Sequence, residues 1–585
     1  MQLVRFYEFD DFRLDVVRRV LLRGGELVPL PSKVFQLLLV LLENSGREIK
    51  KHELMHLLWP DTVVEESNLT QTVFLLRKAL GKTRPEDSLI VTIPGSGYRF
   101  TGDARRTESS ASSPNSWAPV IAPTVNQAAG TVQFLAVLPF HVVGRKRGVE
   151  YLAVGLADAV IGRLSNIEQI RVLPTSAILE HYDSESTPGA QARKLGADFV
   201  FTGKLQKIRH NMRVGVQLMD ARDGRVLWKA DFEDSNMQSV LESICNNALK
   251  ALSLGVSDQE HRRLLKRGTE HHDAYNAYLK GRYYSYKWTQ PNLTRSIEWF
   301  NAAIKYDPKF ALAYSGLADS YYIISNLYIP PHQVMPKAKI AAGKALALDD
   351  TLAEAHTSLA LTLAFYDWDW SKAEIEFRQA IYLNPFYAPS RLWHGRFLAA
   401  RKKFDEALEE LKAGQRLDPL SLSLNAELGR VLFWKREYRS ATQQLQETLD
   451  LDSNFWPAHL FLGWVHEQQG HYTEALALFQ RATLLDDNPR IMASLGHAYA
   501  LSGDTAQAEQ ILKLLIRQSA KRYVAPYNIA VIYAGLGKTN DAFRWFESAF
   551  KGRSEWLAWL NVDPALDPIR ADSRFKHLVH RVGLP

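Results

Sequence analysis

Cysteine is almost missing from this chain: Cys245 is the only one among 585 residues, which excludes an intramolecular disulfide framework. It lies in an apolar helical pattern and reads as a small buried side chain. Long apolar runs are missing too. The longest, TVQFLAVLPFHVV at 131–143, is interrupted by Pro139 and His141, whereas a spanning helix needs about 20 apolar residues. The amino terminus, MQLVRFYEFDDF, lacks the apolar stretch of a secretory signal. These absences predict a cytoplasmic protein without membrane contact. One charge sign does not dominate where it would be most telling. The net charge is +7, yet residues 1–103 hold 14 Lys+Arg and 14 Asp+Glu. Attraction of that region to a polyanion must come from local placement. Hydrophobic residues at 46% and charged residues at 23% are ordinary for globular chains, and the length has room for several domains.

What is present in quantity is repetition. Small residues recur at Gly395, Gly429, Gly463, Gly496 and Ala530, at spacings of 34, 34, 33 and 34. Twelve residues after each stands Ala407, Ala441, Ala475, Ala508 or Ala542. The small residue lets a first helix approach its neighbour, and the alanine lets a second close over it. One such unit cannot bury its apolar face alone, so units must stack into a solenoid. Looser repeats reach back to about residue 273, with unit ends at Tyr306-Asp307-Pro308, Leu348-Asp349, Leu383-Asn384-Pro385, Leu417-Asp418-Pro419 and Leu451-Asp452. The array resembles tetratricopeptide repeats, about eight over 257–552 and clearest at 388–552, followed by a cap and tail at 553–585. In that resemblance the position after each signature glycine faces the concave groove: Arg396, Arg430, Trp464 and His497. Two arginines beside an aromatic suit an acidic or extended protein segment.

Residues 1–103 differ in kind. FYEFDDFRLD alternates, and Gly24-Gly25 separates two short runs, which predicts a hairpin. Ser32 caps a helix carrying VFQLLLVLLEN, a second helix covers 50–59, and a third covers 67–80 with Val73, Leu76 and Leu80 on one face. SLIVTIPGSGYRF (88–100) predicts a second hairpin whose turn holds Gly95 and Gly97. The stretches LLVLLENSGREI, ELMHLLWPD, NLTQTVFLLRKALG and TIPGSGYRF, in this order, resemble the winged-helix DNA-binding domain of OmpR/PhoB-type transcription regulators. The resemblance implies that the third helix enters the major groove and the hairpin wing the neighbouring minor groove. It assigns DNA contacts to Asn68, Thr70, Gln71, Phe74, Arg77, Lys78, Gly97, Tyr98 and Arg99. Among them Gln71 pairs with adenine, Thr70 touches a thymine methyl, and Arg77, Lys78 and Arg99 hold phosphates. One departure stands out: Phe74 and Leu75 occupy positions where family members commonly carry serine and arginine. Regulators of this type often place a receiver domain before the module. Here the module begins at residue 1, so input is expected through the domains on its C-terminal side.

Residues 104–130, rich in Ser, Ala, Pro and Thr, read as a flexible tether. Residues 131–256 alternate strand and helix, with a strand at 134–140, a helix at 151–167 and three antiparallel strands before a closing helix. LAVLPF, GLADAVIGRL, LGADFVFTGKL and VQLMDARDGRVLW give this region a resemblance to the TolB N-terminal-like α/β domain. Arg145-Lys146-Arg147 forms a basic loop after the first strand.

Enzyme signatures fail. HELMH at 52–56 matches the HExxH zinc pattern, but no third ligand is identifiable, and Glu53, Leu54 and Trp59 fit the packing pattern of the second winged-helix helix. FVFTGKLQ lacks the spacing and Ser/Thr of a phosphate loop. No catalytic residue, metal ligand or cofactor is predicted. The fold class is multidomain: an α+β winged helix, an α/β middle domain and an all-α solenoid. The expected function is bacterial transcription regulation. The expected partners are double-stranded DNA, a protein or peptide on the repeats, RNA polymerase and a second copy of the chain. The competing class is a repeat scaffold whose winged helix is vestigial.

Overall fold

A computed structural model describes residues 4–109 and 133–585, apart from 17–19, 24–25, 29, 31, 59–65, 81–88, 94–95, 145–149, 166, 168, 184–185, 209–210, 235–236, 253, 255, 257–263, 265–267 and 288. The Gly24-Gly25 turn, Trp59, Gly95, the Arg145–Arg147 loop and most of the expected tether lie outside the described residues.

The first domain opens with an antiparallel sheet in which Val4–Phe9 pairs Phe12–Asp15, then Val20–Arg23, then Glu26–Val28. Helices α1 (Ser32–Glu43), α2 (Lys51–Leu58) and α3 (Glu66–Ala79) come next. A smaller sheet joins Glu48–Lys50, Gly97–Phe100 and Ile90–Ile93. One core holds them together: Leu37, Leu38 and Leu41 of α1, Leu54 and Leu58 of α2, Leu69, Val73 and Leu76 of α3, and Phe100. The 3.6-residue spacing of these leucines places them on one face of each helix. Arg105–Ser109 returns to pair with Val4–Phe9 as the outer strand, so residues expected in the tether belong to this sheet. RRTES shows no apolar alternation; an edge strand is held by main-chain bonds.

The middle domain contains a six-stranded sheet with the order Ile170–Val172, Gln133–Val137, Phe199–Ile208, Asn211–Asp220 and Val226–Asp234, and His141–Val143 beside Phe199–Ile208. Its first three strands run parallel and the last three form an antiparallel meander. The run expected as one strand at 134–140 is divided: Pro139 has no N–H to give a ladder, and the chain resumes pairing at His141. Helices Glu150–Leu164 and Met237–Ala251 pack into the same core as Val200, Phe201 and Leu205. Cys245 lies there, fully buried, and burial pushes its thiol up to about 12.

From His272 to Lys551 the chain forms eight antiparallel helix pairs. Each signature glycine meets a large residue of the following helix. A Cβ on Gly395 would stand 2.6 Å from Leu411 Cγ, and one on Gly429 2.5 Å from Leu445 Cγ. The paired alanines 407, 441, 475, 508 and 542 have no exposed surface. The turn inside successive pairs is made by a left-handed residue: Trp368, Lys402, Arg436, Gly470, Gly503 and Gly537. The first repeat helix docks on the middle domain. Arg282 donates from Nε and Nη2 to both carboxylate oxygens of Asp158, at 2.9 and 3.1 Å, and Thr175 Oγ1 donates to the same carboxylate at 2.6 Å.

Candidate nucleic-acid interface and repeat groove

Helix α3 turns Leu69, Val73 and Leu76 into the domain core, which leaves Thr70, Gln71, Phe74 and Leu75 on other faces. Thr70 and Gln71 are half-buried; Thr70 Oγ1 bonds back to Glu66 O at 3.2 Å. Asn68 accepts from Thr72 Oγ1 through its carbonyl at 2.7 Å. Lys78 is in the helix, with its side chain outside the described residues.

Arg77 is turned toward the wing. It donates to Ile90 O from Nε and Nη2 at 3.2 and 3.0 Å, and to Thr92 Oγ1 at 2.6 Å. Burial lowers its pKa, which the nearby Tyr98 opposes. Arg77 therefore ties α3 to the wing. Tyr98 is likewise a core residue, 4% exposed. Gly97 sits in the strand where any Cβ would run into Ile49 O; its smallness serves strand crossing in the small sheet. On the wing it is Arg99 that reaches solvent. Phe74, expected to face DNA, is 7% exposed. HELMH is a surface pair: His52 and His56 point outward from α2 while Leu54 and Leu58 are buried. Among the described residues no cluster of His, Cys, Asp or Glu has the make-up of a metal site.

The concave face of the repeats is occupied by the chain's own C-terminal segment. Glu555–Trp559 and Pro564–Ile569 are short 3-10 turns, and Ser573–Val582 is a helix. Trp559, 1% exposed, stacks on Trp434 with centroids 4.6 Å apart and planes 18° apart. The guanidiniums of Arg396 and Arg430 each lie 5.5 Å from the Trp559 ring. Arg430 also donates to Glu427 at 2.9 and 2.6 Å. Burial pulls Arg430 down to about 10, against the attraction of Glu427 and with the push of Arg396. Trp464 donates from Nε1 to Ser494 at 2.8 Å, and His497 Nδ1 lies 3.0 Å from Glu467 Oε1. Further along, Asp563 accepts from Tyr527 at 2.7 Å, and Trp370 Nε1 donates to Val582 O at 2.9 Å. Of the four residues expected to line an open groove, Arg430, Trp464 and His497 are buried and Arg396 is half-buried, with Arg396 and Arg430 lying against Trp559 of the C-terminal segment. The composition of SEWLAWLNVDP announces an apolar cap. What it does not announce is that the cap folds back inside the array.

Family comparisons agree with this division. Residues 25–100 match the family "Transcriptional regulatory protein, C terminal", and 131–248 match "HilA/YgeH-like transcriptional regulator, second domain". Residues 427–489 and 466–528 match tetratricopeptide repeats. The middle-domain match is to the HilA/YgeH type, where the sequence motifs suggest a TolB N-terminal-like domain. The chain is 25% identical over 418 residues to the transcriptional regulator HilA of Salmonella typhimurium, covering 71% of this chain and 70% of that one. It is 38% identical over 89 residues to the transcriptional regulatory protein CutR of Streptomyces coelicolor, 15% of this chain and 39% of that one. Among solved structures, the human IFIT1 dimer with PPP-AAAA is 17% identical and covers 54% of this chain and 78% of that chain, at a TM-score of 0.35, too low to bear on function. The chain carries the domain types of transcription regulators together with tetratricopeptide repeats.

Proposed function

We propose that this protein is a DNA-binding transcription regulator whose first domain reads a duplex through α3 and the wing. The observation that carries the reading is the union of a sheet, three helices and a hairpin over 4–100 with the regulator-family match at 25–100. The similarity to HilA, which extends over 418 residues and so well beyond the first domain, supports the same class. Thr70 and Gln71 supply base-edge contacts, and Arg99 holds the backbone from the wing. Arg77 and Tyr98 set the angle between helix and wing. The middle domain and repeats receive a protein or small-molecule signal. RNA polymerase and a second copy of the chain are the partners that such a regulator needs, since one winged helix covers a short site. Selection of sites from a random duplex pool tests the reading. Enrichment of a defined motif supports it; an unenriched pool contradicts it.

A further inference from the structure

The face of α3 that departs from the family pattern is not turned to solvent. Helix α3 lies against repeat helix Tyr438–Leu451. Phe74 is 7% exposed although it stands outside the winged-helix core cluster. Leu75 packs at the edge of two cores at once: its own domain's, and that of the middle domain with Leu451. A Cβ placed on Gly196 would lie 3.7 Å from Leu75 Cδ1. Two apolar residues stand where serine and arginine are usual: Phe74 is buried, and Leu75 helps to seat the helix on the middle domain.

The charges obey the same plan. Asp450 of the repeat helix lies near enough to Lys51 and Arg77 for its charge to act on both, and Glu447 acts on Arg77. Asp450 keeps an exposed side chain, so this attraction is screened and modest. The apolar contact of Leu75 is not screened and supplies more. A helix already packed against another cannot also enter a major groove about 12 Å wide.

We propose that the repeat array masks the recognition helix: in this conformation α3 is sequestered against Tyr438–Leu451, and the duplex is read only when that contact opens. The proposal rests on the DNA-reading function above. It assigns the repeats a direct inhibitory contact, and it gives Leu75 a purpose that DNA contact does not.

The test uses the full chain and a labelled mixed-sequence duplex at fixed salt. Glu447→Arg/Asp450→Arg places like charge opposite Lys51 and Arg77 without touching the DNA-reading residues. Glu298→Arg/Glu409→Arg adds the same charge at exposed repeat positions elsewhere and serves as the control. If the binding-competent state is a minority, the apparent Kd falls in proportion as that state is populated. The masking variant is expected to bind roughly tenfold more tightly than wild type, with faster amide exchange in 66–79, while the control binds like wild type. Equal affinity of wild type and masking variant overturns the masking and leaves DNA reading intact. An equal gain in the control also overturns it, because added charge then explains the effect. No binding by any of the three chains overturns the DNA reading, and the masking with it.

Discussion

Replacing Trp559 by alanine removes the side chain around which the C-terminal segment is built into the groove. Trp559 is 1% exposed, stacked on Trp434 at 4.6 Å and close to Phe365 at 5.6 Å. Truncating a buried tryptophan costs about 3–5 kcal/mol, as lost transfer energy plus the cavity left behind. Two cation–π contacts go as well, from Arg396 and Arg430, each worth about 1–2 kcal/mol when desolvated. These terms overlap, so the total stays near the upper part of the first range. Trp559 Nε1 has no hydrogen-bond partner, so no acceptor is orphaned by the change. Repeat arrays depart from two-state unfolding, which makes a single unfolding free energy a poor readout. Native-state amide exchange resolves the segment instead. Protection of 555–582 should fall by roughly a hundredfold or more, since each 1.4 kcal/mol is a factor of ten. Protection in α1–α3 should be unchanged. A loss of less than about threefold in 555–582 would refute the view that this ring anchors the segment.

Asp158→Ala strands the Arg282 guanidinium in the junction between middle domain and repeats and should cost about 3–5 kcal/mol locally, read as faster native-state amide exchange in 150–164 and 272–285. Gly395→Ala drives a methyl toward Leu411 and should destabilise the array by about 1–3 kcal/mol, read as faster exchange in 388–417. Asp319 titrates at about 6 against an ordinary 3.8, raised by burial although the Ser358 hydroxyl donates to it. Because the folded pKa lies above the unfolded one, its penalty is absent below about pH 4, develops between 4 and 6, and is complete above 6. Asp319→Asn should therefore match wild type in stability near pH 4 and exceed it by about 1–3 kcal/mol above pH 6. A gap independent of pH would show that Asp319 is not the titrating group.

The repeat register is legible because it is written in size: a glycine facing Leu411 or Leu445 tolerates nothing larger, so the constraint shows in the sequence at each unit. The left-handed turn residues keep the same period but are harder to see, because Trp368, Lys402 and Arg436 fill a role that glycine takes at 470, 503 and 537. The third helix is legible to within a residue at each end, since its apolar face repeats at helical spacing. Its site residues are less so. Spacing says which side of α3 is dry, but not that Arg77 turns back to Ile90 and Thr92. Nor does it say that a repeat helix about 370 positions further on lies against α3. The filled groove is hidden for the same reason. Arg396 and Arg430 lie against Trp559 of the same chain, while Trp464 and His497 bond Ser494 and Glu467.

The most direct test of DNA reading is a salt-dependent titration of residues 1–109, which include the outer strand Arg105–Ser109, against duplexes selected from a random pool. The account predicts a defined motif, affinity falling linearly with log salt, and a loss of about 1–3 kcal/mol for Gln71→Ala on that motif alone. Absence of a motif, or equal weakening of all sequences by Gln71→Ala, would contradict it.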